Sequence, residues 1–157
     1  MKKLMMIVTC GMLLLAAGCK KDEPTPGTQP AASFTADIAR PTWSASKDYD
    51  YSSSMTAVIR VDLKAQYPDK AADWQLNEQD LLAAFSGETC LGTASPKDGV
   101  FYLYVAGTND NSVTLRYYST QYKNLFEAAD AFPFENDVHL GTVAEPLTPS
   151  FVVATNN

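Results

Sequence analysis

Histidine and cysteine are scarce in this sequence, and their scarcity limits the chemistry available to it. The 157 residues include one histidine, His139, and three cysteines, at positions 10, 19 and 90. A transition-metal site usually takes about three or four ligands, most often Cys and His. A glycine-rich phosphate loop and a nucleophile elbow are also absent. We therefore expect no metal site, no cofactor and no enzymatic activity.

Two catalytic alternatives remain open at this level. Cys90 and His139 make a Cys-His pair arithmetically possible, but Cys90 alternates with Gly92 and Ala94, where a small buried thiol is the ordinary interpretation. His139 is predicted at a strand end. A pair of carboxylates for glycoside hydrolysis is defined by its separation in space, so a small surface hydrolase acting on glycans is the enzymatic alternative.

Basic residues are outnumbered by acidic ones. The chain has 12 Lys and Arg against 18 Asp and Glu, a net charge of −6, and residues 1–18 hold two of the lysines and no acid, so the remainder carries −8. Nucleic-acid binding depends on cations that neutralise phosphates. We therefore expect no nucleic-acid partner.

The chain lacks an apolar run long enough to span a bilayer, which takes about 20 residues. Its N-terminus has instead the three parts of an export signal, namely basic Lys2 and Lys3, an apolar stretch over residues 4–15, and a small-residue end over residues 16–18. Residues 1–18 are therefore predicted to be a cleaved signal peptide, and Cys10 would be lost with it.

Cys19 follows Leu15 and three small residues, and this arrangement resembles the bacterial lipobox, although the commonest lipobox has its Leu one position later. The resemblance implies that Cys19 receives a diacylglycerol and anchors the protein to a membrane. An ordinary secretory signal is the alternative. Residues 19–33 are polar and Pro-rich, which is typical of a flexible linker. The folded domain is then expected over residues 34–157.

Three charged residues follow the lipidation site closely, namely Lys21, Asp22 and Glu23. They resemble the export signal of Bacteroidota-type surface lipoproteins. The resemblance implies an outer-membrane lipoprotein that faces the cell exterior. The alternative is a linker that is simply charged.

Alternating residues predict β-strands in the domain. Between residues 55 and 64, apolar side chains alternate with mostly polar ones, as in a half-buried strand. Residues 100–105 and 112–118 repeat this pattern around a turn at residues 107–111, which predicts a hairpin. If that hairpin is symmetric about Asn109, Tyr102 and Tyr104 lie opposite Arg116 and Thr114 on its outer side.

Further strands are predicted at residues 81–85, 89–94, 124–127 and 146–153. Short strands at this spacing predict an all-β, antiparallel β-sandwich, Ig-like or jelly-roll-like, in a single domain. Cys90 is the only cysteine in it, so an intrachain disulfide is impossible. Local propensity alone would make residues 78–85 and 125–131 helical.

A broader pattern runs through residues 43–147 and is densest in AAF.G..C.G.A, from Ala83 to Ala94. It resembles a small all-β module of Bacteroidota-type surface and secreted proteins, and it implies a strand at residues 81–85. The family often has Arg at the position of Leu91. Its members look like modules that accompany adhesive and carbohydrate-handling domains, so the resemblance implies fold and location more than chemistry.

Two acidic stretches offer oxygen ligands for calcium, namely residues 109–111 and the pair Asp48 and Asp50. Neither has the spacing of a known calcium loop. A hairpin turn is the better interpretation of residues 109–111.

Aromatic side chains give the clearest indication of a binding surface, because they provide large contact area at low entropic cost. The candidate ligand-binding residues are Trp74, Tyr102, Tyr104, Arg116 and Tyr118. The alternatives are structural. The tyrosines favour strands, Trp74 packs in the core, and Arg116 forms a cation–π pair with Tyr102. We predict a non-catalytic binding or assembly module whose partner is a glycan or a surface protein. A structural subunit of an envelope complex is a further alternative.

Overall fold

Two packed β-sheets form the domain. The computed structural model describes residues 33–48 and 53–155. The elements in chain order are β1 (Ser54–Ile59), α1 (Leu63–Gln66), β2 (Leu81–Ser86), β3 (Thr89–Ala94), β4 (Pro96–Lys97), β5 (Val100–Ala106), β6 (Ser112–Ser119), β7 (Asn124–Ala128), β8 (Phe132–Pro133), β9 (His139–Leu140) and β10 (Phe151–Val153). The predicted single-domain, all-β sandwich is confirmed.

The four-stranded sheet has the order β4-β5-β1-β9, and the six-stranded sheet has the order β10-β7-β6-β2-β3, with β8 paired to β6. All strand pairs are antiparallel except β1 with β9. Their inner faces supply the core, whose largest fully buried side chains include Met55, Ile59, Phe101, Tyr117 and Phe126. Burial of this apolar surface is the main force that holds a disulfide-free domain together.

The predicted hairpin of β5 with β6 is wrong. β5 pairs with β1 and β4 in the four-stranded sheet, whereas β6 pairs with β2, β7 and β8 in the six-stranded sheet. Residues 107–111 therefore carry the chain from one sheet to the other. The inner faces still meet, with the rings of Phe101 and Tyr117 at 6.1 Å, but they meet across the sandwich and not along a ladder.

The predicted strand over residues 55–64 ends earlier than expected. β1 stops at Ile59, and the helical turn α1 begins at Leu63, where the Asp62 carboxylate accepts a hydrogen bond from the Ala65 amide at 2.9 Å. Such an N-cap satisfies a backbone donor that the turn leaves without a partner. Val61 and Leu63 remain buried, so the alternation continues while the strand does not.

The two segments with helical propensity form strands β2 and β7, and residues 129–131 lie outside any helix. β2 is buried on both faces over residues 81–85. Its inner residues meet the core, and Phe85 on its outer face packs edge-on against Trp43 at 5.4 Å. Tertiary packing therefore overrides local preference here. The predicted strand 146–153 is shorter than expected, since β10 covers only Phe151–Val153.

Residues 33–46, here called the N-terminal strap, lie against the six-stranded sheet. The amides of Ala36 and Ile38 donate to the carbonyls of Tyr122 and Lys123 at 3.0 and 2.9 Å, and the Ser46 amide donates to the Cys90 carbonyl at 2.8 Å. These bonds attach the strap at both ends. It covers part of the outer face that an isolated sheet would leave open to solvent.

Candidate functional site

Tyr102 and Tyr104 stand on the outer face of the four-stranded sheet. They are exposed to 44% and 43%, although most other large apolar side chains are buried. Tyr102 lies opposite Val58, and Tyr104 lies opposite Thr56, which in turn lies opposite His139. We call these five residues the tyrosine face.

A polar contact fixes one side of the tyrosine face. The Thr56 hydroxyl and His139 Nδ1 share a hydrogen bond of 2.6 Å. Because side chains two residues apart on a strand share a face at a spacing of about 7 Å, the two phenol rings form adjacent contact surfaces. Such a surface suits stacking or packing against a partner.

The other predicted binding residues do not join Tyr102 and Tyr104. Arg116 is on the outer face of the six-stranded sheet, on the opposite side of the sandwich, because β5 and β6 belong to different sheets. Its guanidinium lies over the ring of Phe85 at 4.4 Å, so the proposed cation–π pair with Tyr102 is wrong. Tyr118 is 4% exposed, and its hydroxyl donates to the Ile38 carbonyl at 3.0 Å.

Trp74 is also withdrawn from solvent, with 9% exposure, and it belongs to the core cluster. Tyr118 fastens the strap and Trp74 packs inside, so both side chains have structural roles in the domain. Only Tyr102 and Tyr104 of the five candidates present aromatic surface to solvent.

A groove of about 600 Å³ lies on the outer face of the six-stranded sheet. We call it the arginine groove, and its residues used below are Trp43, Glu88, Arg116, Glu127 and Val152. Arg116, Glu127 and Val152 form one row across β6, β7 and β10, because each lies opposite the next in the ladder. Trp43 comes from the strap.

Two carboxylates bind the guanidinium in this groove. Arg116 Nε donates to Glu127 at 3.2 Å, and its two terminal nitrogens donate to the two oxygens of Glu88 at 3.4 and 3.1 Å. Arg116 lowers the pKa of Glu88 through this hydrogen bond and its charge. The hydrogen bond with Glu88 likewise raises the pKa of Arg116.

Sequence reasoning missed this network because its members are far apart in the chain. One signal was available, since β6 and β7 flank a short turn at residues 120–123. A hairpin there places Arg116 opposite Glu127. Glu88 carries no comparable signal, because its position depends on the β2–β3 turn reaching over β6.

A buried polar cluster joins β6 to the loop before β2. Asp80 is fully buried and accepts hydrogen bonds from the Tyr117 hydroxyl at 2.6 Å and from the amides of Thr120 and Asn77 at 2.8 and 3.0 Å. Burial, followed by the charge of Asp80, raises the pKa of Tyr117. Each carboxylate oxygen has a partner, so the cluster satisfies the buried charge and holds the sheet end in place.

Cys90 and His139 are not brought together. Cys90 lies on β3 in the six-stranded sheet, and His139 lies on β9 at the edge of the four-stranded sheet. The Cys90 thiol is half-buried, donates to the Gly92 carbonyl at 3.6 Å, and has its pKa raised by burial. A raised pKa disfavours the thiolate that a nucleophile needs.

The two asparagines of residues 109–111 accept hydrogen bonds from backbone amides through their side-chain oxygens. Asn111 Oδ1 accepts from the Thr108 amide at 2.8 Å, and Asn109 Oδ1 accepts from the Asn136 amide at 3.4 Å. Within the described ranges, no group of three His, Cys, Asp or Glu side chains has the geometry to hold a metal. Asp48 accepts from the Ser46 hydroxyl at 3.0 Å, and Asp50 lies outside the described residues.

The predicted lipidation site Cys19 and the export signal Lys21, Asp22 and Glu23 lie outside the described residues, as does the signal peptide. Among the residues that are described, no helix is long and apolar enough to cross a membrane.

Comparison with known proteins gives no relative for this arrangement. No protein-family model matches the chain, and searches of curated proteins and of solved structures found no match either.

Proposed function

We propose that this protein is a lipid-anchored, non-catalytic binding module of the Bacteroidota surface-lipoprotein type. It faces the cell exterior, and its tyrosine face binds a glycan or a protein. The observation that carries the proposal is the pair Tyr102 and Tyr104, which expose large aromatic side chains side by side on a regular sheet. Tyr is enriched where proteins contact partners, because it combines apolar area with a polar hydroxyl.

The ion pairs of the arginine groove favour binding over hydrolysis at that site. A glycosidase needs a carboxyl group with a raised pKa to protonate the leaving oxygen. Glu88 has the opposite shift, because Arg116 stabilises its charged form. Both carboxylates of the arginine groove are therefore held as ion-pair partners.

Binding through the tyrosine face is tested with glycan and protein arrays probed by the full-length protein. Changing Tyr102 and Tyr104 together to Ala should abolish binding, because it removes both contact surfaces. The matched control is Tyr118→Phe, which removes a hydroxyl from a buried tyrosine. Unchanged binding by the double variant would contradict the proposal.

Membrane attachment is tested separately. The Cys19→Ala variant should be released from membranes, because it lacks the thiol that would carry the lipid. Replacing Lys21, Asp22 and Glu23 by Ala should keep the protein in the membrane but shield it from external protease. Retention of the Cys19→Ala variant in the membrane fraction would overturn the anchor.

A further inference from the structure

The arginine groove is a second concave surface, on the opposite side of the sandwich from the tyrosine face. Its floor is the row Arg116, Glu127 and Val152, and Trp43 of the strap lines it as well. A volume of about 600 Å³ lies within the range of small-molecule sites, about 300–1,000 Å³. The groove is therefore large enough to hold one or two sugar rings.

The polar groups of the groove are fixed in place by each other. Arg116 uses three N–H donors on Glu88 and Glu127, and the face of its guanidinium rests on Phe85 at 4.4 Å. A guanidinium has further donors, and each carboxylate oxygen accepts more than one hydrogen bond. Planar donors and acceptors thus lie side by side. Arg116 and Glu127 are partly buried, and the Glu88 carboxylate, 89% exposed, reaches Arg116 from the solvent side.

The charge of this set selects the ligand class. Two carboxylates and one guanidinium leave a net charge of −1, which disfavours phosphates and carboxylates. A cation would have to compete with Arg116 for the two carboxylates, which already accept its N–H donors. A hydroxyl group both donates and accepts, and it therefore pairs with a guanidinium and a carboxylate at once.

Trp43 and Val152 supply the apolar part of such a site. Trp43 is half-buried and held edge-on against Phe85, and Val152 is 48% exposed at the far end of the row. A sugar ring has apolar C–H faces and a rim of hydroxyls. It matches a groove with an indole at one side and a guanidinium beside a carboxylate on its floor.

We propose that the arginine groove binds a neutral saccharide. The Trp43 indole packs against the sugar ring, while Arg116, Glu88 and Glu127 bond its hydroxyls. This site is separate from the tyrosine face, and the two proposals stand or fall independently.

The test is a glycan array that carries neutral oligosaccharides of glucose, galactose, mannose and xylose, with sialylated, sulfated and amine-bearing glycans beside them. The full-length protein should bind at least one neutral structure. Calorimetry with that oligosaccharide should then show a loss of affinity of about tenfold or more for Trp43→Ala and for Glu127→Gln. Glu135→Gln, at an exposed glutamate that belongs to neither surface, is the matched control and should bind as the original protein does. Tyr102→Ala is measured beside it to separate the groove from the tyrosine face.

Three results overturn the proposal. They are the absence of binding to any neutral glycan, binding confined to charged glycans, and loss of binding on Tyr102→Ala with none on Glu127→Gln. The last of these would still support the tyrosine face. Because Trp43 also packs on Phe85, a thermal melt accompanies each variant, and if Trp43→Ala does not fold, the nearly isosteric Glu127→Gln decides.

Discussion

The two outer faces of the sandwich differ in what lies over them. On the four-stranded sheet, Tyr102 and Tyr104 project to solvent. On the six-stranded sheet, the strap and an ion-paired arginine cover the equivalent positions, so that Phe85 and Tyr118 are buried although they point away from the core. The same alternation of side chains therefore leaves Tyr102 and Tyr104 partly exposed on one sheet and buries Phe85 and Tyr118 on the outer face of the other.

The largest loss of stability is expected where the two sheets contact each other. A Cβ added at Gly92 on β3 would collide with the backbone carbonyl oxygen of Tyr104 on β5. We expect Gly92→Ala to lower the free energy of unfolding by about 3 kcal/mol, because backbone cannot move aside as a side chain can. Urea denaturation measures this change.

Gly87→Ala is the matched control, because a Cβ there meets open space and only its positive φ of 57° is strained. Its cost should be about 1 kcal/mol. Equal losses for the two variants would show that the close approach of β3 to β5 contributes nothing.

Tyr117 tests the inward-facing side. Tyr117→Phe should cost about 2 kcal/mol, because it leaves the buried Asp80 carboxylate without its phenol donor. The folded-state pKa of Tyr117 is raised above 10.0, so this contribution is complete below about pH 10 and is lost as pH rises further.

Between about pH 9 and about pH 11, the urea midpoint should therefore fall more in the original protein than in Tyr117→Phe. A parallel decline in the two proteins would contradict this role for Tyr117.

Arg116 tests the covered face. Arg116→Ala should cost about 1 kcal/mol, from the lost contact with Phe85 and the partly exposed ion pair with Glu127. Because Arg116 lowers the pKa of Glu88, the contribution of Glu88 is present above pH 4.5 and declines as pH falls below that value. Glu88→Gln should flatten this acid limb of the stability curve, and an unchanged limb would refute the linkage.

Tyr102 gives the smallest expected effect on stability. Tyr102→Thr keeps a good strand former on an exposed site, so its free energy of unfolding should stay within about 0.5 kcal/mol of the original value. Thermal melting measures this directly. A clear loss of stability would mean that the tyrosine face is structural, which would remove the reason for assigning it to a partner.

The sequence predicted which side chains point inward but not which strands are partners. Phe101, Leu103, Val113 and Leu115 alternate with the outer residues of the two predicted strands and are all buried, yet β5 and β6 belong to different sheets. Alternation reports the face of a strand, whereas partners depend on contacts across the whole domain. For the same reason, the prediction that Tyr102 pairs with Arg116 was wrong, whereas the prediction that Tyr102 lies on an outer face was right.

The pattern AAF.G..C.G.A follows from packing. Ala84 is in the core, Gly87 has the positive φ of the β2–β3 turn, and Gly92 lies against the backbone of β5. In the ladder between β2 and β3, Ala84 pairs with Gly92 and Phe85 pairs with Cys90. Leu91 is therefore the extra residue of a β-bulge, and its side chain is buried. The pattern therefore indicates how two sheets meet, which is why it predicted fold better than function.

The strap gives the domain a mechanical property. A pull that enters the domain through residue 33 first loads the bonds of Asn124 to the carbonyls of residues 33 and 34, and then those of Ala36 and Ile38. Because these bonds lie one after another along the strap, such a pull loads them in sequence and peels the strap from the sheet. Once peeling reaches Trp43, the arginine groove has lost one wall, and tension along the chain and the shape of that groove are therefore coupled.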